Sequence, residues 1–220
     1  MLVEWAGAHE WSRETRRSVY ASLRGFFRWA FEAGIVVDDP TDALPSVQPA
    51  PPMPRPAPEA VYSVALEAAD ARARVILRLA AEAGLRRAEI AAVERRDLVE
   101  DLSGISLLVH GKGGKERIVP LSDSLAREVR RYIGRRRWLL PSPTGGHLTP
   151  RHVGKIATRL LPESWTLHTL RHRFASRAHA GSRDLIAIQR LLGHASVATT
   201  QRYIATDMET LRSAAACAAV

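Results

Sequence analysis

The stretch PSVQPAPPMPRPAP at residues 45–58, with seven of the chain's 13 prolines, limits what this chain can fold into more than any other feature. Each proline removes a backbone donor and locks φ, which breaks helices and strands and favours an extended, semi-rigid connector. A single continuous core across this stretch is therefore not expected. The 220 residues divide into a short helical segment at 1–48, a linker at 49–58, a main domain at 59–206, and a final segment at 207–220.

The short segment contains one good helix. Ser12 can cap it, Val19, Leu23, Phe26, Phe27 and Ala30 follow helical spacing on one face, and Gly34 can end it. Arg13, Arg16, Arg17, Arg24 and Arg28 occupy much of the remainder. A solvated charged face is the ordinary explanation for such a helix, with phosphate contact as its competitor.

The main domain opens with helical patterns. Pro58 and Glu59 start one, a second runs through Val75, Ile76, Leu79 and Ala80 to Gly84, and a short third, RAEIAAV, follows. The period then changes. ISLLVH (105–110) and ERIVP (116–120) read as strands of a hairpin around GKGG. Ser122 caps a helix carrying Leu125, Val129, Tyr132 and Ile133. Thr149 and Pro150 have the cap and first-turn chemistry for another, with Val153, Ile156, Ala157 and Leu160. Three further helical segments follow, punctuated by Gly181 and Gly193, with Asp207 capping the last. The fold class is mainly α (α+β): a helical domain with a small antiparallel β-sheet.

Thirty-two Lys and Arg against 23 acidic residues give a formal charge of +9 and a pI near 10.7. That excess favours a polyanionic partner, because each neutralised phosphate releases condensed counterions. Cys217 is the chain's one cysteine, so an internal disulfide is excluded and a reducing cytoplasm is the default compartment. No apolar run approaches a membrane span, and the start MLVEWAGAHEW lacks a secretory pattern, so no membrane partner is expected.

Five short stretches need a joint explanation: GLRRAEI (84–90), HGKGGKERIVPL (110–121), LHTLRH (167–172), LLGHASVATT (191–200) and QRY (201–203). Singly, each is ordinary. Arg86 follows a helix-ending glycine, Lys112 sits in a soluble turn too short for a P-loop, and His168 and Arg171 share a helical face as i and i+3. His194 can cap a helix end, and Tyr203 alone reads as a core or rim aromatic. Together they form a chemical set. Two arginines offer permanently charged forks for phosphate oxygens, a lysine can protonate a leaving oxygen, histidines can donate or shuttle protons, and a tyrosine can attack. This suits phosphoryl transfer with cationic side chains supplying the charge stabilisation, so no metal and no cofactor are expected.

In order and spacing these stretches resemble the signature of the tyrosine recombinase, or phage integrase, family. That signature is Arg, a hairpin Lys, His-x-x-Arg, Leu-Gly-His, and a Tyr nine residues later. The resemblance spans residues 59–204, and SVYASLRGFFRWAFEAG with the following DDP resembles, less specifically, the family's core-binding domain, here short and truncated. It implies a site-specific recombinase that cleaves and rejoins DNA through a 3′-phosphotyrosine. Arg86 and Arg171 would clamp the scissile phosphate, and Lys112 would protonate the leaving 5′-oxygen. His168 would accept or hold the tyrosine proton, His194 would donate to a phosphate oxygen, and Tyr203 would be the nucleophile.

The implied partners are double-stranded DNA, a homotetramer on two DNA sites (monomeric or weakly oligomeric without DNA), and accessory DNA-bending or directionality proteins. The implied location is the nucleoid within the cytoplasm. After Tyr203, Met208, Leu211, Ala215 and Ala218 form a stripe that the resemblance assigns to docking on a neighbouring subunit. Alternative readings are a type IB topoisomerase-like enzyme and a non-catalytic DNA-binding protein on the same scaffold.

Overall fold

Local capping chemistry sets most of the element starts in this computed structural model, which describes residues 2–49, 55–162 and 164–193, the Lys112 side chain excepted. The structure separates into two compact units, Met1–Pro52 and Met53–Val220, with the division inside the proline-rich stretch.

In the first unit, α1 (Leu2–Gly7) precedes α2 (Arg13–Glu32). Ser12 Oγ accepts the Thr15 amide at 3.2 Å, so the expected cap forms. The chain leaves the helix through Gly34 at φ +69°, a left-handed turn that suits a residue without Cβ. The Arg24 guanidinium donates to Leu44 O at 2.7 Å and tacks the following segment back onto α2. A small core of Ala6, Tyr20 and Leu44 results, with Trp11, Val19 and Leu23 at its margin. The apolar stripe is thus corrected: Tyr20 turns inward, and Phe26, expected on the buried face, is 55% exposed. Helix α1 had no counterpart in the sequence reading, because six residues ending in glycine show too little of a helical period.

The second unit is built around α4 (Ala71–Glu82), which follows α3 (Glu59–Glu67). Asp70 Oδ1 caps α4 by accepting the Ala73 amide at 2.7 Å. Val75, Ile76, Leu77, Leu79 and Ala80 are all fully buried, so α4 presents a broad apolar face to the core and leaves Arg72 and Arg74 exposed. It packs against α6 (Asp123–Ile133), α7 (Pro150–Thr158) and α8 (Leu167–Ser182). Short α5 (Arg87–Ala91) packs on α7, and α9 (Leu185–Leu192) follows α8. Arg173 on α8 donates to Glu59 at 2.6 Å and lies 4.2 Å over the Tyr62 ring, joining α3 to α8.

The sheet has three antiparallel strands in sequence order: β1 (Leu98–Asp101), β2 (Gly104–His110) and β3 (Glu116–Pro120). The hairpin forms as expected, with His110 opposite Glu116 across the turn. Strand β1 was not legible, since LVED is mostly exposed and shows no apolar alternation; pairing with β2 makes it a strand. Gly181 also does not end its helix. Helix α8 continues to Ser182, and Arg183 adopts the left-handed turn at φ 53°. Asp184 then caps α9 by accepting the Ile186 and Ala187 amides at 2.9 Å. The expected final helix after Asp207 lies outside the described residues.

Gly84 is the hinge of this arrangement, because its φ of +66° turns the chain from α4 toward α5, and a Cβ there would lie 2.5 Å from the Phe174 ring. Gly84→Ala is expected to cost about 2–5 kcal/mol, from left-handed backbone strain plus overpacking. Urea unfolding checks this; a midpoint unchanged from wild type would contradict it.

Candidate functional site

The site is organised by a carboxylate that the sequence reading did not single out. Glu89 on α5 is 6% exposed, and burial pushes its carboxyl up. The cationic neighbours outweigh that, Arg117 foremost, and hold it below the usual range. Arg117 grips it with two bonds of 2.8 Å. Arg86 donates to it from its guanidinium at 2.8 Å and from its backbone at 2.7 Å. Arg171 lies 3.7 Å away. Three guanidinium groups therefore share one carboxylate, and the cluster keeps an excess of positive charge.

Each arginine is set by a different element. Arg86 is the N-cap of α5, where the helix dipole disfavours a cation; Glu89, three residues on, offsets this by capping the Arg86 amide. Arg117 shares the inward face of β3 with buried Val119, and its Nε donates to Leu191 O at 2.7 Å. Arg171 is 1% exposed. Its guanidinium donates to Gly84 O and, at 2.6 Å, to Leu192 O, which satisfies a charge that would otherwise be very costly to bury. One side chain thus ties the end of α4 and the end of α9 to α8.

Arg86, His168 and Arg171 line one cleft of about 670 Å³ with Arg87, Arg151 and Lys155. Among the described residues no carboxylate lines it, so this lining suits an anion. Arg86 also lines a second cleft of about 1240 Å³ beside the β2–β3 turn, where Gly111, Gly113, Lys115, Arg190 and Gly193 contribute. Lys112 lies in that turn by its backbone. His194 and Tyr203 lie outside the described residues. Of the six expected site residues, the structure therefore brings Arg86, His168 and Arg171 together and puts the Lys112 backbone beside the adjoining cleft.

His168 occupies the first turn of α8, where Thr166 Oγ1 accepts its backbone amide at 3.2 Å. Burial, then Arg171 and Arg86, lower its pKa, so a neutral ring able to take a proton is favoured. One turn later His172 approaches it, Nε2 to Nε2 at 3.0 Å. The Arg55 amide donates to His172 Nδ1 at 3.2 Å. An Nδ1 that accepts leaves the proton of neutral His172 on Nε2, so His172 donates to His168. Burial first, and then His168 and Arg171, push His172 down to about 4. The end of the proline-rich stretch is itself docked here. Ala57 N–H donates to Thr169 O at 3.1 Å, and Arg55 lies 4.8 Å over the Trp165 ring.

Glu89, Arg117 and His172 were not singled out in the sequence reading, although two of them carry a signal. Glu89 stands at cap-box spacing from Arg86. Arg117 alternates with Val119, and a charge on a strand's inward face needs an internal partner.

Residues 58–210 match the model of the phage integrase family. Tyrosine recombinase XerC of Rhodospirillum centenum is 35% identical over 225 residues, covering 90% of this chain and 64% of that protein. Tyrosine recombinase XerD of Caulobacter vibrioides is 34% identical, covering 90% and 72%. The chain thus spans about two thirds of the length of these relatives. A crystal structure of XerH site-specific recombinase bound to difH substrate shares the fold, with a TM-score of 0.75 and 21% identity over 97% of this chain and 69% of that one.

Glu89→Ala is expected to destabilise the fold by about 3–5 kcal/mol, because it leaves buried guanidinium groups uncompensated; urea unfolding at pH 7 reads this. The lowered pKa values of His168 and His172 predict a second effect. Their neutral forms stabilise the fold above the ordinary imidazole value of about 6.5, and that stabilisation fades as pH falls through their lowered values, which for His172 is about 4. The urea midpoint should therefore drop between about pH 6 and 5, before most carboxylates titrate. A flat profile in that window would refute the assignment.

Proposed function

Because the chain belongs to the phage integrase family, we propose that it is a site-specific DNA recombinase, or integrase, acting through a 3′-phosphotyrosine without metal or ATP. The observation that carries this reading is the sharing of Glu89 by Arg86, Arg117 and Arg171. It leaves net positive charge on a cleft lined by His168, with no carboxylate among the described lining residues. Such a cleft can bind a phosphodiester and stabilise the charge that grows on its oxygens during substitution at phosphorus.

In the proposed step, Tyr203 Oη bonds to phosphorus while the bond from phosphorus to the 5′-oxygen breaks. His168, held neutral, takes the tyrosine proton on Nε2 as the Tyr203 hydroxyl replaces the donation from His172 there, and Lys112 gives a proton to the leaving 5′-oxygen. Arg86 and Arg171 hold the non-bridging oxygens, with His194 as a further donor. The phosphotyrosine conserves the bond energy, so a 5′-hydroxyl from a partner strand reverses the step on a new end. The partner is double-stranded DNA, with a homotetramer on two sites as the working assembly. Residues 207–220 dock on a neighbouring subunit, and accessory DNA-bending or directionality proteins join the complex. The protein acts on the nucleoid in the cytoplasm. Support for DNA as partner comes from the basic charge of +9 and from the family.

The test uses the purified chain and a pool of nicked duplexes of randomised sequence, with covalent adducts read as SDS-resistant complexes. The wild type is expected to form adducts. Tyr203→Phe should abolish them while leaving the gel shift intact. Arg86→Ala, whose side chain is 43% exposed and is not needed for the core, should lower the rate by about 10²–10³. Adducts from Tyr203→Phe would refute the nucleophile, and none from the wild type would refute the reading.

A further inference from the structure

The turn carrying Lys112 is tied to the body of the second unit from both of its strands, and the two ties differ in kind. On β3, Arg117 binds Glu89 of α5 and Leu191 O of α9. A guanidinium stays charged at any physiological pH, so that tie is permanent. On β2, the last residue before the turn is His110. Its Nε2 lies 3.1 Å from Asp97 Oδ1 and its Nδ1 lies 2.9 Å from Glu116 Oε1. A carboxylate can only accept, so both ring nitrogens must donate. The imidazole is therefore held as the cation. Asp97 is a firm anchor: its side chain is 3% exposed, and its other oxygen accepts the Glu94 amide at 2.8 Å.

We propose that His110 is a positioning residue for Lys112: its doubly protonated ring latches the Lys112 turn onto buried Asp97 and releases it as pH rises. The inference rests on the role proposed above for Lys112. The turn itself is short and glycine-rich. Gly111 N–H donates to Lys115 O at 2.6 Å, and Gly113 and Gly114 both have positive φ. Glycines leave such a turn little stiffness of its own, so its position depends on what holds its base. His110 holds that base from one side and Arg117 from the other.

The charged groups around His110 favour the cation. Asp97 reaches it from the 3-10 turn Arg95–Asp97, and Glu116 from β3. Glu89, Arg86, Lys115, Arg117 and Arg190 line the clefts it borders, and Glu89 there is neutralised by its own arginines. The hydrogen bond to Asp97 is the largest influence on the ring; it raises the pKa above the ordinary value, against a smaller opposing effect of burial. A raised pKa fixes the direction. The latch is fully closed below about 6.5, the value in the unfolded chain, and opens as pH climbs through the higher folded value.

The experiment uses the whole chain labelled with ¹⁵N-histidine, titrated by imidazole NMR from pH 5 to 9, with amide exchange followed in parallel. His110 is expected to titrate above 6.5 with both nitrogens protonated at the acid end, and Asp97→Asn should bring that value down. The protection factor of the Gly111 amide should fall severalfold, about threefold or more, as His110 deprotonates, because loss of the ring cation is linked to release of the turn. His110→Arg, a permanent cation, should stay protected across the range, and His110→Gln should be weakly protected throughout. A His110 value at or below 6.5, or Gly111 protection that ignores its titration, overturns the latch. In the adduct assay with randomised nicked duplexes, the ratio of wild-type to His110→Arg rates should fall about fivefold or more from pH 6.5 to 8.5; a constant ratio removes the link to Lys112. Adducts from neither protein at any pH would overturn the recombinase reading itself, while the NMR titration decides the latch separately.

Discussion

A buried carboxylate shared by three arginines is the constraint on which the rest of the second unit depends. Without Glu89, the Arg171 guanidinium would sit in a nearly dry interior opposite two other cations, and no packing gain of ordinary size would offset that. With it, Arg171 can act as a strut between the carbonyls of Gly84 and Leu192. The same carboxylate draws Arg86 to the start of α5 and Arg117 inward from β3. Three separate stretches of chain converge on this cluster: the start of α5 supplies Arg86 and Glu89, β3 supplies Arg117 and α8 supplies Arg171. The cluster is stable and still cationic, since three positive groups meet one negative.

Helix α8 turns that charge into a site. It carries Arg171 on its buried side and His168 in its first turn, so the groups proposed for charge stabilisation and proton transfer sit on one rigid element. Its position is fixed from three directions: by α4 along its length, by Glu59 and Tyr62 through Arg173, and by residues 55–57 docked at its start. The last of these brings the exit of the proline-rich stretch to His172, and through it to His168.

Periodicity and caps made the framework legible. The buried helix α4, the capped helices α2, α6 and α7, and the β2–β3 hairpin were all readable, because a cap or a run of apolar residues is a local property. What could not be read was non-local. Strand β1 exists only because β2 lies beside it, and Phe26 faces outward only because Tyr20 and Leu44 claimed the small core. Gly181 illustrates the limit of local rules, since glycine permits a helix end without requiring one.

The sequence by itself determined the chemical inventory and its order along the chain. Arg86, Lys112, His168, Arg171, His194 and Tyr203 stand at spacings that make sense together, and those spacings led to the family. Tertiary structure alone decided which groups serve Arg171. Its partners are 87 residues upstream at Gly84 and 21 downstream at Leu192, with Glu89 nearby. It also decided that His172 donates to His168, and that a histidine beside the Lys112 turn sits between two carboxylates. Those facts were hidden for a physical reason. A charged residue's partner is chosen by where the packed helices carry it in space, and a one-dimensional pattern records only the charges that are available.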